Sequence, residues 1–580
     1  MLDRIIAYAE QQGLTAEPGF ARKKVSWVIQ CDRDGRFIGI LPLLDGKRPR
    51  SFDCCPDLSQ GELVSGSTPR SQFLIESLQT VALYAKAGES DDKLQKAEGK
   101  HRYFVFLLKQ AATALPELEA AADMLSDEPQ LAAIRNELER LSPKPKPTDT
   151  ATVWIDSLNP LAMDRWHDWW RRFRQMLHAE NGKRGNAKAV TMRGFLSGEN
   201  IEPASTHDKI KGLAGVGGLG TGDVVIGFDK EAFQSYGLKK STNAAVSAEN
   251  AKLYAETLNR LIADRSQKLG NALVLFWYSH PVAREEDAFA FLSDPETPEA
   301  GVETLPRKLL RAIERGERPD LGDNHYYALT LSGASGRVMV RRWMEGQFAD
   351  LVKNVDDWFS HLQIVARDGG LSRAAKPPKF LAVAGSIERD LGDVSSPLMT
   401  QLWESAITGG YVPHTAQAKA LLRCRVDIIQ DSPANHARMG LLKAYHIRNK
   451  GDAHMKPYLN PDHPSAAYQS GRLMAILANL QRAALGDVGA GVVQRYYAAA
   501  SQTPALTLGR LVRNAKNHLA KLEGGLQFWY ENRIAEVMGR IHDAIPRTLD
   551  LEQQSLFALG YYQQLAALRA GTGNKESDKE

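Results

Sequence analysis

The 580-residue sequence is poor in cysteine, with only Cys31, Cys54, Cys55 and Cys424. Four thiols in so long a chain rule out a disulfide-stapled scaffold, and no CxxC pair is present. Adjacent Cys54 and Cys55 make a poor zinc pair, because neighbouring thiolates rarely reach one tetrahedral ion. Long apolar runs are missing too: none approaches the roughly 20 residues that span a bilayer. The opening Met1-Leu2-Asp3-Arg4-Ile5-Ile6 lacks the apolar core of a secretory signal. A cytoplasmic, reducing setting with no membrane partner is therefore expected. No excess of one charge stands out. Lys and Arg number 73 against 69 Asp and Glu, a net charge of +4, so any basic surface must be local. Repeats and low-complexity tracts are lacking, as are a Gly-x-Ser-x-Gly elbow and a cysteine in a recognisable Cys/His setting.

What is present suits a folded chain of several units. Hydrophobic residues make up 43% and charged residues 24%, enough for a sizeable core. The fold class expected is α+β: a mixed α/β N-terminal region with short β-sheets, then an all-α helical bundle. Leu2 to Gln11 spaces Ile5, Ile6 and Ala9 as one helical stripe. Val25–Ile29 and Phe37–Leu41 flank the turn residues Asp32-Arg33-Asp34-Gly35-Arg36, a hairpin signal. Helices are predicted for Phe73 to Ala85, Tyr103 to Leu115 and Met163 to Leu177. Pro143, Pro145 and Pro147 interrupt the chain as a linker. Leu273–Tyr278 and Tyr326–Leu331 read as buried strands. The charged stretch Arg284 to Arg318 between them reads as mostly helical and exposed, and Arg337 to Trp343 as a short strand or helix start. From about Leu371 helix spacing takes over. Leu473, Ile476, Leu477 and Leu480 form one apolar stripe. Further stripes run through Leu508, Leu511, Ala515 and Leu519, then Ile534, Val537 and Ile541, then Leu556, Leu559 and Leu565; such stripes need one another's cover. The domain boundaries this implies are 1–370, a helical connector over 371–454, and a bundle over 455–580.

Several motifs invite chemistry. Gly215-Val216-Gly217-Gly218-Leu219-Gly220 matches GxGxxG, but the strand-like Val224-Val225-Ile226 follows it instead of preceding it, and no Gly-Lys-Ser/Thr follows. The better reading is a mobile glycine-rich loop that can approach another backbone closely. Its neighbours His207, Lys209, Lys211, Lys239, Lys240 and Asn243 suit phosphate, although a solvated loop explains them as well. His167-Asp168, His207-Asp208 and His542-Asp543 are pairs that metal phosphohydrolases use, but no further ligand set accompanies them. No metal and no cofactor is expected. Trp166, Trp169, Trp170 and Phe173 interleave with Arg165, Arg171, Arg172 and Arg174. That pattern can stack bases, but a helix burying its tryptophans is the plainer account. Arg510, Arg513, Lys516 and Lys521 fall at helical spacing beside an apolar stripe, a ridge able to track a phosphate backbone or simply a solvated face.

Certain runs, in order, resemble the large subunit of the subtype I-C CRISPR surveillance complex, Cascade. They are Val25–Ile29, Phe195-Leu196-Ser197-Gly198-Glu199, His207–Gly212, Phe233–Gly237, Asn243–Ser247, and Asn259–Ile262 with Phe276-Trp277. Tyr327–Ser332 with Arg337, Arg342 and Trp343, then Asn460–Leu473, Arg495-Tyr496-Tyr497 and Phe557–Tyr562 complete the set. The resemblance implies a non-catalytic subunit that recognises the protospacer-adjacent motif (PAM) in double-stranded DNA, helps open the duplex and stabilises the R-loop. Guide pairing then reads the remaining sequence. The implied partners are crRNA, target DNA, the backbone, crRNA-processing and small subunits, and a helicase-nuclease that cuts.

Thr68–Leu74 is similar to a family stretch that carries Asn before Phe-Leu. Here that residue is Gln72, which pairs with adenine by the same bidentate chemistry. Arg70, Ser71 and Gln72 are thus expected near the PAM, with Lys209, Lys211 and Asn243 as a second group. Gly217, Gly218 and Gly220 would form the loop that approaches or wedges the duplex. The C-terminal helices resemble the small subunits, with Arg510, Arg513, Lys516 and Lys521 along the displaced strand and Met455 placed to serve as an internal start. The alternatives are a metal-dependent nuclease subunit and a pure scaffold.

Overall fold

The computed structural model describes residues 1–573 apart from 15–16, 46–47, 59–61, 64–68, 87, 185–190, 235, 296–302, 431–434, 487–490 and 542–543. The described residues form two compact units, Met1–Asp264 with Gly333–Met339, and Arg265–Ser332 with Val340–Glu580. Short sheets concentrate in the N-terminal half and helices in the C-terminal half, an α+β fold with a helical C-terminus.

The first unit opens with α1 (Leu2–Gln11) and continues through β1 (Phe20–Val25), β2 (Trp27–Cys31), β3 (Phe37–Pro42), β4 (Leu44–Asp45) and β5 (Arg48–Pro56). The expected strand Val25–Ile29 is split at Ser26, so that β1 and β2 enter different sheets. The hairpin forms as the turn residues require: the Asp32 carboxylate accepts the Asp34 and Arg36 N–H groups at 3.0 and 2.8 Å, and Gly35 takes φ +75°. Next come β6 (Glu76–Ser77), α2 (Leu78–Val81), α3 (Asp91–Ala111), α4 (Leu118–Ser126), α5 (Glu128–Arg140) and β7 (Thr150–Ile155). One sheet runs β3-β2-β7-β6, with β2 parallel to β7; another runs β1-β5-β4. Phe73 to Ala85 is not a single helix. Leu74 and Leu83 adopt positive φ, and the Leu78 and Gln79 N–H groups bond to Asp149 and Pro147. Partners from the β7 approach thus override local helix propensity.

The unit closes with α6 (His167–Arg184), the small pair β8 (Met192–Arg193) and β9 (Asn200–Ile201), and α7 (Ala248–Asp264). Trp166 and Trp170 are fully buried with Phe73, and their indole N–H groups donate to Pro160 and Gly19. Arg171 pairs with Glu17 and Arg174 with Glu62. Trp166, Trp170 and Phe173 of this run are therefore core, and Arg171 and Arg174 are ion-paired.

In the second unit β10 (Ser266–Leu269), β11 (Ala272–Tyr278), β12 (His325–Ala334) and β13 (Arg337–Gln347) form one sheet in that order. The tip of the β12–β13 hairpin, Gly333–Met339, belongs to the first unit. Between β11 and β12 lie α8 (Ala288–Ser293), α9 (Leu305–Glu314) and α10 (Pro319–Gly322). The described residues of this stretch are mostly helical, but α8 is not exposed: Ala288, Phe289, Phe291 and Leu292 are buried, with Phe289 stacked on Phe276 and Trp403. Then follow α11 (Phe348–Leu362), α12 (Phe380–Gly385), α13 (Ser396–Thr408), α14 (His414–Ile429) and α15 (His436–Lys450). The last helices are α16 (Ala466–Leu485), α17 (Val492–Gln502), α18 (Pro504–Leu519), α19 (Gly524–Arg540) and α20 (Leu551–Gly573).

A single core joins this sheet to the helices up to α20. Met455 itself is buried. The Tyr445 hydroxyl donates to Glu552 at 2.8 Å and His446 Nε2 lies 2.6 Å from Ser555 Oγ, tying α20 to α15 as well as to α16.

The α16–α20 crossing is closed by two glycines. A Cβ at Gly471 would collide with the Phe557 carbonyl oxygen, and one at Gly560 with that of Tyr468. Backbone cannot yield as a side chain can, so overpacking, at about 1–3 kcal/mol, outweighs the gain of about 1 kcal/mol from replacing a helical glycine. Gly509 on α18 faces open space. Gly560→Ala should thus lower the thermal midpoint by several degrees and Gly509→Ala should raise it slightly, measured by calorimetry on the full chain.

Candidate nucleic-acid interface

Of the sequence-predicted residues of the first unit, Gln72 bonds into a cluster of charge. Lys23, on the inward face of β1, donates to the Pro56 carbonyl at 2.7 Å and to Gln72 Oε1 at 3.1 Å, and pairs with Asp57 at 3.0 Å. Lys252 of α7, only 6% exposed, lies 3.8 Å from the same Asp57 carboxylate and 3.9 Å from Glu256. Burial pushes the Asp57 carboxyl up, but Lys23 and Lys252 pull it further down, and it ends below the usual range. Desolvation pushes the half-buried Asp208 carboxyl up and raises Glu256 to about 7. Lys211 contributes to the field at both Asp57 and Asp208. Segment 70–72 and loop 207–211 are thus coupled through one network.

Within it, Gln72 is committed inward. Its Oε1 accepts the Leu58 N–H at 2.8 Å and its Nε2 donates to the Leu58 carbonyl at 2.9 Å. Ser71 is fully buried, its hydroxyl without a hydrogen-bond partner among the described residues. Arg70 donates to the Glu62 carbonyl at 2.8 Å. Gln72 is thus bound to the Leu58 backbone and Arg70 to that of Glu62.

Lys209 and Lys211 are exposed and make no ion pair among the described residues. Asn259 of α7 holds their backbone: its Oδ1 accepts the Lys211 N–H at 2.6 Å and its Nδ2 donates to the Lys209 carbonyl at 3.2 Å. His207 packs inward, Nδ1 2.7 Å from the Tyr254 hydroxyl, with burial lowering its pKa to about 4. Asn243 donates to the Leu238 and Lys240 carbonyls, each at 3.0 Å. It therefore builds a loop on which Tyr236 is fully exposed at φ +53°.

The glycine loop is anchored, unlike the mobile loop expected. Gly217 (φ +90°) sits so close to the hairpin tip that a Cβ would lie 2.8 Å from the Gly333 carbonyl oxygen. A Cβ on Gly218 would clash with Asp223 and Leu213. The buried Asp223 carboxylate accepts the Leu219 N–H at 3.1 Å and the Gly336 N–H at 2.9 Å. Gly220 alone faces open space. Val224–Ile226 forms no strand, only an isolated bridge from Val224 to Arg337. The context is therefore not that of a dinucleotide fold.

In the second unit, Arg510, Arg513 and Lys516 lie exposed along α18, and Lys521 just beyond it. None of the four is ion-paired among the described residues. Sequence reasoning missed two features. One is the Lys23–Asp57–Lys252 network; its signal was a lysine at an inward β1 position. The other is the exposed aromatic start of α19, where Phe528 is 64% exposed and Trp529 38%, with Arg533 5.4 Å over the indole.

Among the described residues no group of three or more His, Cys, Asp or Glu side chains is placed to hold a metal ion, and no helix is long and apolar enough to cross a membrane. His542-Asp543 lies outside the described residues.

Glu256 makes the network sensitive to pH. Its folded-state pKa of about 7 lies above the ordinary 4.5, so the folded chain holds the extra proton and its stability falls as pH rises between those values. Glu256→Gln should raise the thermal midpoint over wild type at pH 8, and the gap should close at pH 5, measured by melting at both.

No curated protein matches the chain closely enough to count. The family model for a CRISPR-associated protein, Cas_Csd1, matches residues 3–569, which takes in both the charge network of the first unit and the cationic helix of the second. With nearly its whole length covered, the chain belongs to the Cas_Csd1 family of CRISPR-associated proteins.

Proposed function

We propose that this chain is the large, non-catalytic subunit of a subtype I-C Cascade. In this reading it senses the PAM in double-stranded DNA, helps open the duplex and steadies the R-loop for a recruited helicase-nuclease. Its partners are crRNA, the target DNA, and the backbone, crRNA-processing and small subunits. The observation that carries the reading is the coupling of segment 70–72 to the Lys209–Lys211 loop through Lys23, Asp57 and Lys252 in a CRISPR-associated chain. Lys209 and Lys211 supply free cations for phosphate, held in place by Asn259. Gln72 acts by shaping the loop around Leu58, so a base edge would be read by what that loop presents. The unpaired cations of α18 suit the displaced strand, whose affinity is then salt-sensitive.

The test uses the assembled particle. Reversing both charges, Lys209→Glu with Lys211→Glu, should weaken PAM-bearing duplex binding at least about tenfold and make the log-affinity against log-salt slope shallower by about two. A pre-opened target should lose less. An unchanged slope removes this loop from the DNA. A particle built without the chain that still discriminates flanking sequences removes the PAM role. Strand scission by the purified particle with Mg²⁺ or Mn²⁺ alone overturns the non-catalytic assignment.

A further inference from the structure

Helices α16, α17 and α18 leave a cavity of about 140 Å³ between them. Its buried lining is apolar, from Leu477, Val492, Leu511 and Ala515; Arg495, Tyr496, Asn514 and His518 complete it. Gln481, also in the wall, already accepts the Val492 N–H at 2.7 Å. Asn514 and Arg495 are exposed, with side chains unpartnered among the described residues. His518 Nδ1 is shut off from solvent and has no hydrogen-bond partner there either. Burial, with Lys521 nearby, lowers the pKa of that imidazole. A buried ring nitrogen left unsatisfied is costly unless a ligand or water meets it.

Size narrows the ligand. Drug-sized molecules occupy about 300–1,000 Å³, whereas a cavity of about 150 Å³ holds one benzene ring. A single planar ring fits, apolar on its faces and polar at its edge. Position narrows it further. Arg510, Asn514 and His518 follow one another at i, i+4 along α18, so the cationic ridge and the cavity are adjacent on one helix. We infer that the cavity receives one pyrimidine-sized nucleobase of a single strand whose phosphates lie on Arg510 and Arg513. Asn514 and His518 meet the base edge and Tyr496 lies beside the ring. A base held in a duplex cannot offer that edge, so the site selects unpaired nucleic acid. The inference rests on the ridge as a phosphate contact and adds the base to it.

The test is fluorescence anisotropy on the full chain with three labelled twelve-mers: oligo-dT, oligo-rU and a fully abasic deoxyribose strand. Wild type should bind oligo-dT about tenfold tighter than the abasic strand. Asn514→Leu, at an exposed position that leaves the melting temperature unchanged, should bring oligo-dT down to the abasic level without altering abasic binding. His518→Leu should do the same. Tighter binding of oligo-dT than of oligo-rU, or the reverse, supports the pocket alike and identifies the strand. Equal wild-type binding of dT and abasic strands overturns the inference, as does an Asn514→Leu chain that keeps the full preference. Arg510→Glu with Arg513→Glu should weaken every strand by a similar factor. If it leaves binding untouched, the ridge reading fails and the inference built on it fails too, whereas a ridge effect without any base preference overturns the inference and leaves the ridge reading standing.

Discussion

A carboxylate shared between two lysines organises the first unit. Asp57 follows directly on β5, Lys23 comes from β1 and Lys252 from α7. Neither lysine has an easier place to put its charge, because Lys252 is buried and Lys23 is also bound to the Pro56 carbonyl and to Gln72. Removing any member would strand a charge in a poorly hydrated site, which is far costlier than the pair itself is stabilising. Gln72 and the Leu58 backbone take their positions from this arrangement through Lys23, while Asn259, on the same helix as Lys252, holds the backbone of Lys209 and Lys211.

The same logic governs the glycine loop. Its resemblance to a nucleotide fingerprint comes from spacing alone. Gly217 and Gly218 are glycine because the Gly333 backbone, Asp223 and Leu213 leave no room for a Cβ. Asp223 then ties the loop to the hairpin tip through the Leu219 and Gly336 N–H groups. Close packing, rather than ligand approach, explains two of the three glycines.

Much of the fold was legible where local chemistry and tertiary demand agree. Leu2–Gln11 is helical end to end, Asp32 and Gly35 make the hairpin turn, and Leu473, Ile476, Leu477 and Leu480 are the buried stripe of α16. Legibility failed where distant partners decide. Nothing near Phe73 announces that Asp149 and Pro147 will take the Leu78 and Gln79 N–H groups. The charged surroundings of Phe289 hide its place between Phe276 and Trp403. For the site, residue type proved a better guide than role. Gln72 and Asn243 are hydrogen-bonding side chains as expected, but both spend their amides on the backbone of their own loops. Charge networks such as Lys23–Asp57–Lys252 join residues far apart in sequence, and only the folded chain reveals them.

The glycine-closed crossing of α16 and α20 also sets an order of events during synthesis. Three helices separate the two in the chain, and the side of α16 that crosses α20 at Gly471 cannot be buried until α20 exists. A nascent chain that has emerged as far as α18 therefore carries that side of α16 uncovered, a surface prone to misassociation. Chaperone capture should be greatest in that interval and should end once α20 docks.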